Sequence, residues 1–225
     1  MATRKSNGDA AAGPLSTQRI VQAALEEVAA DGLAALSMRK VGQRLGREAM
    51  SLYHHFPSKQ HLLDAMVDHA LASVEEPPAD LTPMERLLHS VHSYRRMAHR
   101  FPALYPLVAV HRLNTPTGVR FIESILALIQ AVVPDPELSA RYFRAIGYYL
   151  TGAGLDETSG YAKGPSAAEP ASDDFVVREC PRLVGVAQYF QPAQWDATFA
   201  IGVDALMSAM ERDAARVGRV NLQKG

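Results

Sequence analysis

An all-α fold is predicted by three observations. Apolar residues recur at three- and four-residue spacing through most of the 225-residue chain. Capping residues and prolines punctuate the chain at helix-length intervals. No stretch keeps the two-residue alternation of a half-buried strand, and no internal repeat is visible. The expected organisation is a disordered tail over residues 1–14, a small helical domain over 15–60, and a linking helix plus larger helical body over 61–220.

The elements follow in order. Ser16 opens a helix to about Asp31, whose apolar face is Ile20, Val21, Ala24, Leu25 and Val28, and Gly32 ends it. Ser37 caps a second helix to about Leu45, and Gly46 supplies a turn in which only glycine takes positive φ without strain. A short third helix spans about Glu48 to His54, with Leu52 and Phe56 as core contacts. Pro57 breaks it, and Ser58 caps a fourth that reaches about Ser73 with a stripe of Leu62, Leu63, Met66, Val67 and Leu71. Glu75-Glu76-Pro77-Pro78 reads as a hinge. Thr82-Pro83-Met84-Glu85 then places Thr at the N-cap, Pro at the first helical position and Glu at the third, starting a helix to about His99. Pro102 and Pro106 predict an irregular stretch. Thr115-Pro116 starts a helix to about Val133, and Asp135-Pro136-Glu137 a long one to about Glu157. Residues 159–172 read as a loop. A penultimate helix is expected over 173–189 and a last one over 192–216.

Composition narrows the function. No apolar run reaches the roughly 18 to 20 residues that cross a bilayer, and the opening MATRKSNGDAAAGP lacks the apolar stretch of a secretory leader. Cys180 is the only cysteine, so no intrachain disulfide forms, which fits a reducing cytoplasm. The net charge of −1 hides an asymmetry: residues 1–60 carry +3 and the remainder −4. A basic small part on an acidic larger one points to one end meeting a polyanion.

That end holds SMRKVGQRLGREAMSLYHHFPSK, residues 37–59. Arg39, Lys40, Arg44, Arg47 and Lys59 stand there against a single acid, Glu48. Two short helices meet at Gly46, and the second presents Ser51, Tyr53, His54 and His55. A tight helix pair whose second member is basic and rich in hydrogen-bonding groups suits the major groove of DNA.

The motif LSMRKVGQRLG…SLYHHFPSKQHLLDAM resembles the hallmark of the tetracycline-repressor (TetR) family of bacterial transcriptional regulators. The resemblance is strong over residues 16–66 and traceable to about residue 157. It implies a helix-turn-helix domain joined to an effector-binding and dimerising core, in a protein that represses transcription and is not an enzyme. It also implies roles for single residues. Arg39 meets a phosphate or guanine edge; Ser51, Tyr53, His54 and His55 sit at the groove; Lys59 anchors a phosphate; Ala49 and Met50 occupy positions where the tetracycline repressor reads bases. Its partners would be a near-palindromic double-stranded operator, a small-molecule effector and a second copy of the chain.

Several expectations concern the body. Gly147, Tyr149, Gly152, Trp195, Phe199, Gly202 and Leu206 are candidates for the dimer interface. Tyr94, His111, Phe121, Tyr148 and Asp156 are candidates for the ligand pocket. The resemblance places His111 at a metal-coordinating position and Asp156 at an acid supplied by the second subunit, so a divalent metal carried with the ligand is an open option, although no cofactor is required. Ser90, Ala127 and Glu75 replace the asparagine, glutamine and histidine that hold tetracycline, which speaks against that ligand. Two alternatives of other classes are an enzyme built on His111 and Asp156, and a protein-interaction module without specific DNA binding.

Overall fold

The computed structural model of the protein describes residues 14–159 and 167–222. The expected tail with Arg4 and Lys5, and the centre of the expected 159–172 loop, lie outside them. Among the described residues there are eleven α-helices and no strand. They are α1 (Thr17–Asp31), α2 (Met38–Leu45), α3 (Ala49–Tyr53), α4 (Lys59–Leu71), α5 (Pro83–Arg100), α6 (Tyr105–Val110), α7 (Pro116–Val132), α8 (Pro136–Ser159), α9 (Asp173–Glu179), α10 (Pro181–Val186) and α11 (Trp195–Leu222).

Local chemistry explains where the early helices start. The hydroxyls of Ser16, Ser37 and Ser58 accept from the amides of Arg19, Lys40 and His61, filling donors that a first helical turn leaves open. At α5 the exchange is reciprocal. Glu85 accepts from the Thr82 amide and hydroxyl at 2.9 and 2.6 Å, and the Thr82 hydroxyl accepts from the Glu85 amide. Gly46 closes α2 in the left-handed region, at φ 64° and ψ 33°, with its amide donating back to Gln43 and Gly42.

The chain forms two compact units. One comprises Met1–Ser73 and Phe101–Gly118, the other Val74–Arg100 and Val119–Gly225. The expected boundary after residue 60 differs from this division, because α4 packs on α1 and on α6. Leu62, Met66 and Ala70 of α4 are fully buried with Ile20, Ala24 and Val28 of α1, Val41 of α2 and Leu52 of α3. In the second unit α5 and α11 both pack on α8. Their core joins Leu87 and Val91, Leu128 and Ile129, Tyr142 and Ile146, and Phe199, Val203, Met207 and Met210. Burial and a 2.7 Å bond donated to Asp213 push the Tyr142 phenol up to about 12.

Two elements depart from expectation. The stretch after Pro102 contains α6, with Pro106 in its first turn, where a missing amide costs no helical bond. The penultimate helix is broken: α9 ends at Glu179, Cys180 takes φ −124° and ψ 52°, and α10 starts at Pro181. Proline disfavours helical geometry in the residue before it and offers no amide to continue the ladder.

Gly42 carries a requirement that its sequence position does not announce. A Cβ there would lie 2.7 Å from the Arg47 carbonyl oxygen and 3.3 Å from the Ala49 amide nitrogen, both backbone atoms. The turn into α3 therefore rests directly against α2. Gly42→Ala should destabilise the protein by about 1–3 kcal/mol, as overpacking does. Thermal melting of the variant beside wild type checks this.

Candidate nucleic-acid interface and ligand sites

The helix pair α2 and α3 is positioned by one carboxylate. Glu27 of α1 is 6% exposed. Arg44 grips it with Nε at 3.2 Å and Nη2 at 3.0 Å, and Lys40 Nζ lies 3.2 Å from its other oxygen while also pairing with Asp31. An ionised carboxylate out of water needs such partners, so α2 is clasped to α1. The Asp31 carboxyl is held below its ordinary range by the Lys40 hydrogen bond, and Lys40 is raised by the same pair. Two of the five cations in the basic motif thus serve the fold.

The groups left at the surface are those the sequence singled out on the recognition side. Arg39, Met50, Tyr53, His54 and Lys59 are exposed, Met50 at 68% and Tyr53 at 40%. Ala49, Ser51 and His55 are half-buried. The Ser51 hydroxyl donates to the Glu48 carbonyl at 2.7 Å, so it offers an incoming group only its lone pairs. Lys59 stands at the first position of α4, where uncompensated amides and the helix dipole already favour an anion.

His111 is tied to the same unit. Its Nε2 lies 2.9 Å from Asp64 Oδ1 on α4, and its Nδ1 is buried without a partner. One turn further along α4, Asp68 accepts from the Thr115 hydroxyl at 2.6 Å. Burial works to raise Asp64, but hydrogen bonds from His111 and Gln60 prevail and hold it below the usual carboxylate range. Within its own chain the carboxylate partner of His111 is Asp64. Among the described residues no group of three His, Cys, Asp or Glu comes together.

Tyr94 and Phe121 come together, stacked with ring centroids 6.1 Å apart. Tyr148 does not join them: it is 66% exposed, beneath the Arg144 guanidinium at 4.7 Å. Asp156 also faces outward. The next residue, Glu157, is the buried one, because one helical step turns a side chain about 100° around the axis. Glu157 was not singled out from sequence, yet it binds Arg95 through both oxygens at 2.8 and 2.9 Å and His99 at 2.7 Å. Glu75 pairs with Arg96 at 2.6 Å, Ala127 is exposed, and the Ser90 hydroxyl donates to the Arg86 carbonyl.

The expected dimer residues separate into two groups. Gly147 and Gly152 face open space, where an added Cβ would meet nothing within 4 Å. Phe199 is corrected: it is 2% exposed and lies in the core of its own chain, with Arg95 over its ring at 4.4 Å. Gly202 is half-buried, and a Cβ there would lie 2.2 Å from the Tyr149 ring of its own chain. Tyr149 donates to the Phe199 carbonyl at 2.8 Å, so both residues explain each other within one chain. Leu206 is half-buried against the same core, and Trp195 lines a cavity with α5.

The arrangement is that of a helix-turn-helix reader attached to a helical body. Residues 20–66 match the profile of bacterial regulatory proteins, tetR family. The chain is 33% identical over 146 residues to the HTH-type transcriptional repressor DrrR1 of Streptomyces coeruleorubidus, covering 62% of this chain and 53% of that protein. It is 26% identical over 213 residues to the class G tetracycline repressor protein of Vibrio anguillarum, covering 88% and 94%. The TetR family protein ActR of Streptomyces coelicolor, solved with actinorhodin, superposes with a TM-score of 0.67 at 26% identity, over 90% of this chain and 99% of that one. The chain spans about half the length of the first curated relatives it matches. Its amino-terminal segment is thus that of bacterial regulatory proteins of the tetR family, and the chain shares its fold with solved regulators of that family.

Replacing Glu27 by Gln leaves Lys40 with Asp31 alone and Arg44 with only the longer 3.8 Å contact to Glu26. Both cations are about one-third exposed, so solvent screens part of the loss. The expected cost is about 1–2 kcal/mol, seen as a fall of roughly 2–8 °C in Tm.

Proposed function

We propose that the protein is a sequence-specific transcriptional repressor that binds a near-palindromic operator as a homodimer and is released by a small-molecule effector. The observation that carries this is the exposed set Arg39, Met50, Tyr53, His54 and Lys59 on α2, α3 and the start of α4, with α2 and α4 each capped by a serine. Two such heads related by a two-fold axis meet half-sites roughly 34–36 Å apart. Open helix surface at Gly147, Tyr148 and Gly152 of α8 and at Ile201 of α11 supports a second copy as the partner. Among the described residues no helix is long and apolar enough to cross a membrane, which accords with a regulator working in the cytoplasm.

Release by an effector needs an element with two arrangements. The ties from Asp64 and Asp68 to His111 and Thr115 supply one. They join α4, whose first residue is Lys59, to the segment that leads in sequence straight into α7. A ligand that competes for His111 biases α4, and with it the spacing of the two recognition helices.

Selection of binding sites from random duplex DNA tests the proposal, with one near-palindrome expected. Enrichment of no sequence by the folded protein, with and without a library of effectors, would overturn it. On the selected site, Lys59→Ala should weaken binding and reduce the slope of log K against log salt by about one unit per half-site. Tyr53→Ala should weaken operator binding more than binding to unrelated duplex. His111→Ala should leave operator affinity of the effector-free protein within about threefold and change release by effector, a coupling on the order of 1–3 kcal/mol. Gel-shift titrations separate these outcomes.

A further inference from the structure

A cavity of about 320 Å³ in the second unit lies between α5 and the first turn of α11, lined by His92, Arg95, Arg96, His99, Trp195 and Asp196. It is distinct from the Tyr94–Phe121 pair and from His111. Its floor is set by Arg95, whose side chain is 13% exposed and locked by both oxygens of Glu157. A guanidinium held in this way gives up little freedom when it binds a further group. The remaining nitrogen, Nη1, donates to Asp196 at 2.8 Å, and the Asp196 side chain is 94% exposed. That one partner sits at the mouth of the cavity and swings into water at small cost.

The walls are flat and π-rich. Trp195 and His99 lie with ring centroids 6.0 Å apart, and His92 meets Phe199 at 5.6 Å. Burial and the neighbouring Arg95 and Arg96 hold His92 below its ordinary pKa, so it serves as a neutral ring. Charge then limits the occupant. Glu157, Asp196 and Glu75 set three carboxylates against the guanidinium groups of Arg95 and Arg96. Exchange of Asp196 for one external carboxylate leaves that count unchanged, whereas a phosphate dianion adds a further negative charge.

We infer that this cavity is a binding site for a planar aromatic monocarboxylate, whose carboxylate replaces Asp196 on Arg95 Nη1 while its ring lies against Trp195. At this volume it holds a two- or three-ring molecule. The site stands apart from the operator reading, because it is assayed on protein without DNA.

Trp195 is the only tryptophan, so its fluorescence reports on the cavity directly. The full chain is titrated with 2-naphthoate and, as the neutral isostere, 2-naphthalenemethanol, by calorimetry and by Trp195 emission. Saturable binding of the acid with quenching is expected, at least about tenfold tighter than the alcohol, as a charge-assisted bond gives. Asp196→Asn removes the internal competitor and should tighten the acid by about threefold while leaving the alcohol unchanged. Its exposed position keeps the fold intact. Absence of saturable binding, equal affinity for acid and alcohol, or a variant that binds the acid no tighter than wild type would overturn the assignment. Failure of operator selection would leave these outcomes unaffected.

Discussion

A carboxylate taken out of water has to be met by cations, and each unit of this protein is built around one such demand. Glu27 and Glu157 are both 6% exposed. Glu27 gathers Arg44 and Lys40 and so fixes α2 on α1. With α2 fixed, Gly42 and Gly46 leave α3 a single way to leave the turn, since one admits a backbone contact and the other a left-handed bend. Glu157 gathers Arg95 and His99 and ties α5 to α8. Apolar burial drives both units to collapse, but these two anions select which surfaces meet.

The same demand redistributes charge. A count of lysines and arginines along the helix-turn-helix motif overstates its basic surface, because Lys40 and Arg44 are spent on α1. Among the residues facing outward are both polar and apolar groups: Arg39, Met50, Tyr53, His54 and Lys59. Phosphate contacts position a reader and edge contacts specify sequence. A set with two flanking cations and a central aromatic, histidine and thioether has parts for both tasks.

Much of the architecture was legible because helix starts are encoded locally. Ser16, Ser37 and Ser58 each precede an apolar stripe and each cap the helix they announce, and Thr82 with Glu85 forms the reciprocal pair its spacing implies. Proline gave mixed information. Pro181 does end a helix, while Pro106 sits inside the first turn of one, and the difference lies in which amide is lost. The exposed residues of α3 were legible too, since a short helix leaves few choices of outward face.

The body was harder, for a reason visible at single residues. Asp156 and Glu157 are neighbours of similar chemistry, and only packing against α5 decides that the second is buried. Phe199 and Gly202 looked like material for an interface, yet the Tyr149 ring fills the space over Gly202 and encloses Phe199. Trp195 turned toward α5. The sequence by itself determined the helical class, the helix starts and the exposed side of α3, because these depend on contacts within a few residues. Tertiary structure decided which acids are buried, which cations are spent and which aromatics line a cavity, because those follow from residues tens of positions apart meeting where water is excluded.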